Sequence, residues 1–557
     1  MPKMTGKEAL ARMLMAEGVE YLFGNPGTSE TPLLDVLQDF PQIKYVQALQ
    51  EGTAVGMADG YARATGRPAF ANIHIAAGLA NGISALYNSF RGGAPVVLSA
   101  GNSDTRMLLT DPVLSGDLVQ MTAQYTKWSA QIHHADDIPM VVRRAFREAS
   151  TPPTGPVFLA FPWDTLDQET EQEIISSSQG YFRTRPDAAG VAKASQILAQ
   201  ADNPILVVGD RVAQSGAVQQ MVRVAEQLGA RVYAAAYTEV NFPTSHPLFG
   251  GFLNLNSPAT RQQLAEADVV MAVGASVFSS FLYVPVPFLS PQTRLIHLDS
   301  KAREVEKVYP TEVGLIADPR SSLEDLAEAL DQDMSAGARE AAATRSATWA
   351  ETRRKEDDER QRRLRSRWDR SPMSVERMMH ELSQALPANA IIADEAVTSR
   401  PAMMQAINFD QPGSFYGIQG GSLGWAMPGA LGVQLANPDR PVVAVVGDGA
   451  SMYTVQALWT AARYNIPVTY VICNNRSYRI LKQNMDIYLR RMLEDKERQS
   501  EYVGMDFANP LNLSAVAQGM GVAGQKIEDP QKLRPALEQA IASGKPNLLD
   551  VSIDGSL

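Results

Sequence analysis

Patterns of buried strands and amphipathic helices alternate along most of the chain. Short apolar runs such as PAFANI (68–73) and VVAVVG (442–447) predict strands that are buried on both faces. Longer segments such as KEALARMLMAEG (7–18) and TAVGMADGYARATG (53–66) have apolar residues at helical spacing. This alternation predicts parallel sheets with helices on both faces. We therefore expect an α/β protein with three doubly wound parallel-sheet domains.

Changes in composition divide the chain into four segments. The three α/β segments cover residues 1–185, 186–335 and 373–557. Residues 336–372, between the last two, are rich in Ala, Glu and Arg, with Pro372 at the end. Such a charge run is typical of a solvated helix, and we interpret it as a helical linker.

The composition excludes several classes of protein. A hydrophobic fraction of 45% and a charged fraction of 20% are ordinary for a globular protein. No apolar run approaches the ~18 residues of a membrane span, and a net charge of −11 argues against nucleic acid as the main partner. The single cysteine, Cys473, excludes an intramolecular disulfide. The N-terminus lacks the apolar core of a signal peptide, so we expect a cytoplasmic enzyme.

The most informative stretch lies at residues 442–478. An apolar strand ends in Gly447-Asp448-Gly449, a helix follows, and a second apolar strand ends in Asn474-Asn475. Parallel strands that are joined by one helix end at the same edge of the sheet, so Asp448 and Asn475 are expected to converge. Carboxylate and amide oxygens suit Mg²⁺, and the N–H groups of a turn that opens a helix suit phosphate.

This stretch resembles the diphosphate-binding motif of thiamine diphosphate-dependent enzymes, which runs from Gly-Asp-Gly to Asn-Asn. Further segments resemble the benzoylformate decarboxylase branch of that family: FGNPGTSETPLL, ALQEGTAVGMADGYA, NIHIAAGLANG and GSLGWAMPGALGVQLANPDR. The resemblance extends along the whole chain. It implies a pyrimidine-binding N-terminal domain, a central domain and a diphosphate-binding C-terminal domain.

The resemblance also implies two cofactors, thiamine diphosphate and Mg²⁺. Glu51 matches the glutamate that hydrogen-bonds the cofactor's aminopyrimidine ring and starts its activation, and Leu423 matches the apolar residue that bends the cofactor. The full set of implied cofactor contacts is Glu51, Thr398, Gly421, Leu423, Asp448, Gly449, Ala450, Asn475 and Tyr478. The implied metal ligands are Asp448, Asn475 and the backbone carbonyl of Ser477.

His74 matches a catalytic histidine of the benzoylformate decarboxylase branch, which handles protons around the substrate. The implied substrate pocket consists of Thr28, His74, Phe281, Val397 and Ile480. Phe281 occupies the position of a second active-site histidine of that branch. This departure argues against benzoylformate itself as the substrate.

The expected function is thiamine diphosphate- and Mg²⁺-dependent decarboxylation of a 2-oxo acid without oxidation. Alternatives are a carboligase of the acetolactate synthase type, a 2-hydroxyacyl-coenzyme A lyase, and a non-catalytic cofactor-binding subunit. The resemblance implies a homodimer or homotetramer that shares active sites between subunits and acts on a small 2-oxo acid or carbonyl compound. The charged segment 482–503 is predicted to be a helix, either a lid over the site or a solvated face.

Overall fold

The computed structural model describes residues 3–178, 180, 182–255, 257–278, 287–495 and 497–557. They form two compact units. One consists of Met1–Gly180, Arg367–Ile407 and Gly417–Leu557, and the other of Tyr181–Ser366 and Asn408–Tyr416. Within the described ranges, no helix has the length and apolar character needed to cross a membrane.

The N-terminal and C-terminal domains each have a six-stranded sheet, and the two sheets have the same strand order. Counting strands along each domain, both sheets have the order 2-1-3-4-6-5. In spatial order, the N-terminal sheet consists of Lys44–Gln47, Tyr21–Asn25, Ala69–Ile73, Val96–Asn102, Val157–Pro162 and Trp128–Gln131. The C-terminal sheet consists of Phe415–Gly417, Ile391–Glu395, Val442–Gly447, Val468–Asn474, Asn547–Ser552 and Ala523–Ile527.

The second unit contains a six-stranded sheet with the order 3-2-1-4-5-6. Its strands are Phe249–Phe252, Arg231–Ala234, Pro204–Val208, Val269–Val273, Arg294–Asp299 and Val313–Ile316. Neighbouring strands of this sheet pair in parallel. Three such sheets confirm the predicted fold class, and continuous apolar runs form their strands because helices cover both faces.

Helices flank all three sheets. Those of the N-terminal domain are Gly6–Ala16, Thr31–Val36, Glu51–Thr65, Ile75–Gly92, Leu118–Thr122, Ile138–Ser150 and Trp163–Asp167. Those of the second unit are Ala188–Ala199, Asp210–Gln214, Val218–Leu228, Pro258–Glu266, Pro319–Asp333 and Ala336–Ser366. Those of the C-terminal domain are Val375–Ala385, Arg400–Ala406, Ala426–Ala436, Asp448–Ser451, Ala457–Tyr464, Arg479–Ile487, Leu513–Gly519 and Pro530–Ala542.

Glycines allow the helix Glu51–Thr65 to pack closely on the helix Ala426–Ala436. A Cβ at Gly60 would collide with the carbonyl of Gly429, and one at Gly432 would collide with the backbone of Met57. The two domains of the first unit therefore meet through backbone-to-backbone contact.

One local prediction was wrong. The segment 482–503 is not one helix: α-helix covers Arg479–Ile487, one wider turn covers Tyr488–Met492, and the described residues beyond are irregular. An antiparallel bridge between Ser477 and Asp506 brings the two ends of this segment close together. His74 immediately precedes the helix Ile75–Gly92.

Candidate active site

The predicted site residues cluster where the strand order of each outer sheet reverses. In the N-terminal sheet, Tyr21–Asn25 and Ala69–Ile73 are the neighbours at this point, and His74 follows directly. In the C-terminal sheet, Ile391–Glu395 and Val442–Gly447 are the neighbours, and Asp448 follows directly. Crevices at such carboxyl edges are the usual ligand sites of α/β sheets.

Glu51 is a buried carboxylate at the start of its helix. Its Oε1 accepts a hydrogen bond from Asn25 Nδ2 at 3.0 Å, and its Oε2 accepts one from Asn81 Nδ2 at 3.0 Å. Only 7% of the residue is exposed. The two amide donors fix the orientation of the carboxyl group.

His74 is held by a second buried carboxylate, Glu30. Its Nδ1 lies 2.9 Å from Glu30 Oε2 and 3.0 Å from Ser29 Oγ. Glu30 also accepts hydrogen bonds from Ser29 Oγ and from the backbone N–H groups of Gly27 and Gly101. A carboxylate can only accept, so the proton of neutral His74 lies on Nδ1 and its Nε2 lone pair is available.

Gly78 brings the two catalytic candidates together. A Cβ at this position would lie 2.8 Å from Glu51 Oε1 and 3.0 Å from the Cβ of His74. Only hydrogen fits between these side chains. Glu51 and His74 therefore lie on either side of Gly78, which neither their spacing nor their local pattern predicts.

Asp448 and Asn475 converge as the strand ends predict. Asp448 Oδ2 accepts a hydrogen bond from the backbone N–H of Arg476 at 2.7 Å, and Asn475 Oδ1 accepts one from the N–H of Ser477 at 3.0 Å. Burial raises the pKa of Asp448 to about 6, although N–H groups of Gly449 and Arg476 oppose the shift. Arg476 lies at φ +60°, which folds the chain tightly around the carboxylate.

The remaining candidates of the C-terminal domain surround this turn. The Tyr478 ring stacks edge-on against Phe507, with centroids 4.9 Å apart, and covers Gly449 so closely that a Cβ there would lie 2.6 Å from it. Ala450 is buried in the four-residue helix Asp448–Ser451.

Val397 and Thr398 form a short turn, Val397–Ser399, which contacts the helix that bears Ile480. Val397 has φ +45°, and such strain in a branched residue is common at functional sites.

Leu423 lies in a turn between two glycines with left-handed backbones, Gly421 at φ +89° and Gly424 at φ +102°. It lines a cavity of about 170 Å³, whose wall also includes Gln50, Asn81 and Tyr453. Asn81 is a hydrogen-bond partner of Glu51. The turn and the surroundings of Glu51 thus face one cavity within the first unit.

Thr28 is exposed, on the same loop as Glu30. Phe281 lies outside the described residues. Glu51 and Asp448 belong to separate clusters, and in the described part of the chain no hydrogen bond or ion pair joins them.

The residues present fit the expected cofactor and cation. Asp448, Asn475 and the Ser477 carbonyl offer a carboxylate, an amide and a carbonyl oxygen, the hard donors that Mg²⁺ prefers. No group of three His, Cys, Asp or Glu suited to a metal occurs among the described residues, so a cation here would depend on this mixed set. A cation would also offset the cost of burying the Asp448 charge.

Several residues of the site were not predicted from the sequence. Glu30, Asn25 and Asn81 hold His74 and Glu51, and Glu395 and Asn88 hold the Leu423 turn. A signal existed for Glu30 and Asn25, because both lie in the quoted segment FGNPGTSETPLL at a strand end. Asn88 offered no such signal, since its partner Ser422 is 334 positions away.

Comparison with known proteins gives matches along the entire chain. Three models of thiamine pyrophosphate enzymes match: the N-terminal TPP binding domain at residues 4–125, the central domain at 191–326 and the C-terminal TPP binding domain at 396–551. Benzoylformate decarboxylase of Pseudomonas aeruginosa is 31% identical over 553 residues, covering 98% of both chains.

Acetolactate synthase large subunit of Haemophilus influenzae is 26% identical over 572 residues, covering 100% of this chain and 96% of its own. Among solved structures, the thiamine diphosphate-dependent 4-hydroxybenzoylformate decarboxylase of Rhodococcus jostii superposes with a TM-score of 0.85. It is 29% identical, and the match covers 99% of each chain.

Proposed function

This chain belongs to the thiamine pyrophosphate enzyme family, and from that premise we propose that it decarboxylates a 2-oxo acid without oxidation, using thiamine diphosphate and Mg²⁺. The observation that supports this proposal most is the pairing of Glu51 with His74 across Gly78. A carboxylate suited to cofactor activation thus lies beside an imidazole suited to moving protons on the substrate.

The cofactor, when bound, supplies an electron-accepting ring that takes up the electron pair left behind as carbon dioxide departs. Glu51 would hold a proton at a carboxylate oxygen whose direction Asn25 and Asn81 fix. His74 would take up or release a proton at Nε2 while its Nδ1–H stays bonded to Glu30. Glu30 would keep the imidazole ring oriented during that exchange.

We propose that Asp448, Asn475 and Ser477 hold the cation, and that Gly449, Ala450, Thr398 and Tyr478 surround the diphosphate. Leu423 would prop the cofactor, and Gly421 would accept a hydrogen bond from it. The proposed substrate pocket consists of His74 together with Thr28, Phe281, Val397 and Ile480. Apart from His74, these side chains differ from those of the benzoylformate branch, so the substrate we propose is a 2-oxo acid other than benzoylformate.

We further propose a homodimer or homotetramer. Both hydrogen-bond partners of Glu51 belong to the N-terminal domain, and those of Asp448 belong to the C-terminal domain. Each site would then combine the Glu51 cluster of one chain with the Asp448 cluster of a second chain. Analytical ultracentrifugation tests this point, and an active monomer would contradict it.

A carboligase is the second candidate, because acetolactate synthases are also similar along the whole chain. The same residues would serve it, since the two reactions differ in which electrophile, a proton or a second carbonyl, arrives after carbon dioxide leaves. His74 favours decarboxylation because it offers a proton donor at that stage.

The test is carbon dioxide release from a panel of aromatic, branched and acidic 2-oxo acids, with both cofactors supplied. Decarboxylation predicts turnover of one class and formation of the matching aldehyde. Glu51→Gln should abolish turnover, and Glu20→Gln, an exposed position in the same domain, should leave it unchanged. Aldehyde formation that persists in Glu51→Gln would contradict the mechanism. A 2-hydroxy ketone as the main product would favour the carboligase.

A further inference from the structure

The Leu423 turn is flexible unless other groups restrain it. It runs between Gly421 and Gly424, which both adopt left-handed conformations. Glycine has the largest conformational freedom of any residue, so a turn that contains two of them loses much entropy on ordering. Groups outside the turn must therefore fix it.

Glu395 accepts hydrogen bonds from the backbone at the C-terminal end of the Leu423 turn. Its Oε1 accepts a hydrogen bond from the Gly424 N–H at 2.6 Å, and its Oε2 accepts one from the Ala426 N–H at 2.8 Å. The residue is 1% exposed and ends the strand at the switch point of the C-terminal sheet. Both oxygens of a buried carboxyl group thus bond to the backbone of one turn.

Asn88 bonds the same turn from the opposite domain of the unit. Its Nδ2 donates to the Ser422 carbonyl at 2.7 Å, and its Oδ1 accepts from the Ser422 N–H at 3.1 Å. It is 2% exposed. The backbone on either side of Leu423 is therefore held by a different buried side chain.

We propose that Glu395 is a positioning residue that fixes the Leu423 turn in the shape which props the cofactor. This inference rests on the proposed function for its catalytic consequence. The carboxyl group acts through the turn, because its hydrogen bonds go to the N–H groups of Gly424 and Ala426. None of its described hydrogen bonds involves Asp448. Asn88 is the second restraint.

Glu395→Gln keeps the shape of the side chain but replaces one oxygen, which can accept a hydrogen bond whether or not the carboxyl group is protonated, by an amide nitrogen that only donates. One of the two N–H groups then faces another donor and loses its bond. The turn should open more often, while Asp448 and Asn475 continue to anchor the diphosphate end. Turnover should therefore fall much more than cofactor affinity.

The first measurement is hydrogen–deuterium exchange of the full chain without added cofactor. In Glu395→Gln, the amides of Gly424 and Ala426 should exchange at least about tenfold faster than in the parent protein, as expected when a buried bond is lost. Glu538→Gln, an exposed position in the same domain, is the matched control and should change nothing. Should Glu395→Gln fail to fold, Asn88→Ala tests the restraint through the Ser422 amide.

The second measurement separates binding from turnover. We expect kcat on the accepted 2-oxo acid to fall by at least about tenfold, with a change in thiamine diphosphate affinity of less than about threefold. Unchanged exchange at Gly424 and Ala426 would overturn the proposal, and so would faster exchange with unchanged kcat. If the parent protein binds cofactor but accepts no 2-oxo acid, the proposed function fails, and faster exchange in the variant still supports the restraint.

Discussion

Replacing Glu30 by Gln tests whether His74 depends on its carboxylate partner. Glu30 is 1% exposed and accepts from four donors: Ser29 Oγ, His74 Nδ1 and the N–H groups of Gly27 and Gly101. An amide of the same shape must turn its NH₂ towards one side. One backbone N–H then loses its acceptor, and the negative charge beside the imidazole disappears.

The expected loss follows from the bond to His74, which is 2.9 Å long. A hydrogen bond to a charged group contributes about 1.5–3 kcal/mol. Since about 1.4 kcal/mol corresponds to a factor of ten in rate, kcat/KM should fall by roughly 10- to 100-fold. Cofactor affinity should be retained, because Glu30 contacts none of the residues proposed to hold the diphosphate.

The assay is initial-rate carbon dioxide release, measured in the parent protein, Glu30→Gln, His74→Ala and the double variant. If Glu30 acts through His74, then the double variant should match His74→Ala within about twofold, because coupled residues are not additive. A Glu30→Gln effect of equal size in both backgrounds would refute the reasoning. Circular dichroism checks that each variant is folded, and Glu20→Gln serves as the exposed control.

Three further predictions concern the same framework. Gly78→Ala should lower turnover by about tenfold or more and cost about 1–3 kcal/mol of stability, because its methyl group displaces Glu51 and His74. Kinetics and thermal melting measure the two effects, and a fully active variant would exclude the close contact. Asp448→Asn should weaken Mg²⁺ retention by about tenfold or more in equilibrium dialysis, since it removes the charged donor of the set; unchanged retention would place the cation elsewhere. Burial raises the pKa of Glu395 to about 8, against the N–H bonds of Ala426 and Gly424, and the nearby Asp394 adds to the rise. The ordinary pKa of a glutamate is 4.5, so between about pH 4.5 and 8 the folded state holds a proton on Glu395 that the unfolded state has lost. The stability of the folded state should therefore fall as pH rises through that window, by up to about tenfold in the folding equilibrium per pH unit. The Tm of the parent protein relative to Glu395→Gln should therefore decrease from pH 6 to pH 8, and parallel pH profiles would contradict this assignment. The neighbouring Asp394 pairs with Arg400 at 3.2 Å.

The sequence by itself determined the three sheets and the pairing of Asp448 with the Asn475 turn. Strand 442–447 is a run of small and β-branched apolar residues, and such a run has few alternatives to a buried parallel strand. Once two such strands are joined by one helix, the geometry of parallel sheets brings their carboxyl ends together. Local patterns were enough because every step depends on neighbours within about one strand-helix-strand unit.

Only the tertiary structure decided which buried side chains serve the site. Glu30 reaches His74 over 44 positions, Glu395 reaches Gly424 over 29, and Asn88 reaches Ser422 over 334. These hydrogen bonds depend on strand order, on the glycine-mediated helix crossing and on the turn between Gly421 and Gly424. None of these leaves a periodic trace in the sequence, because a single polar residue has the same local pattern whether it faces solvent or a buried donor.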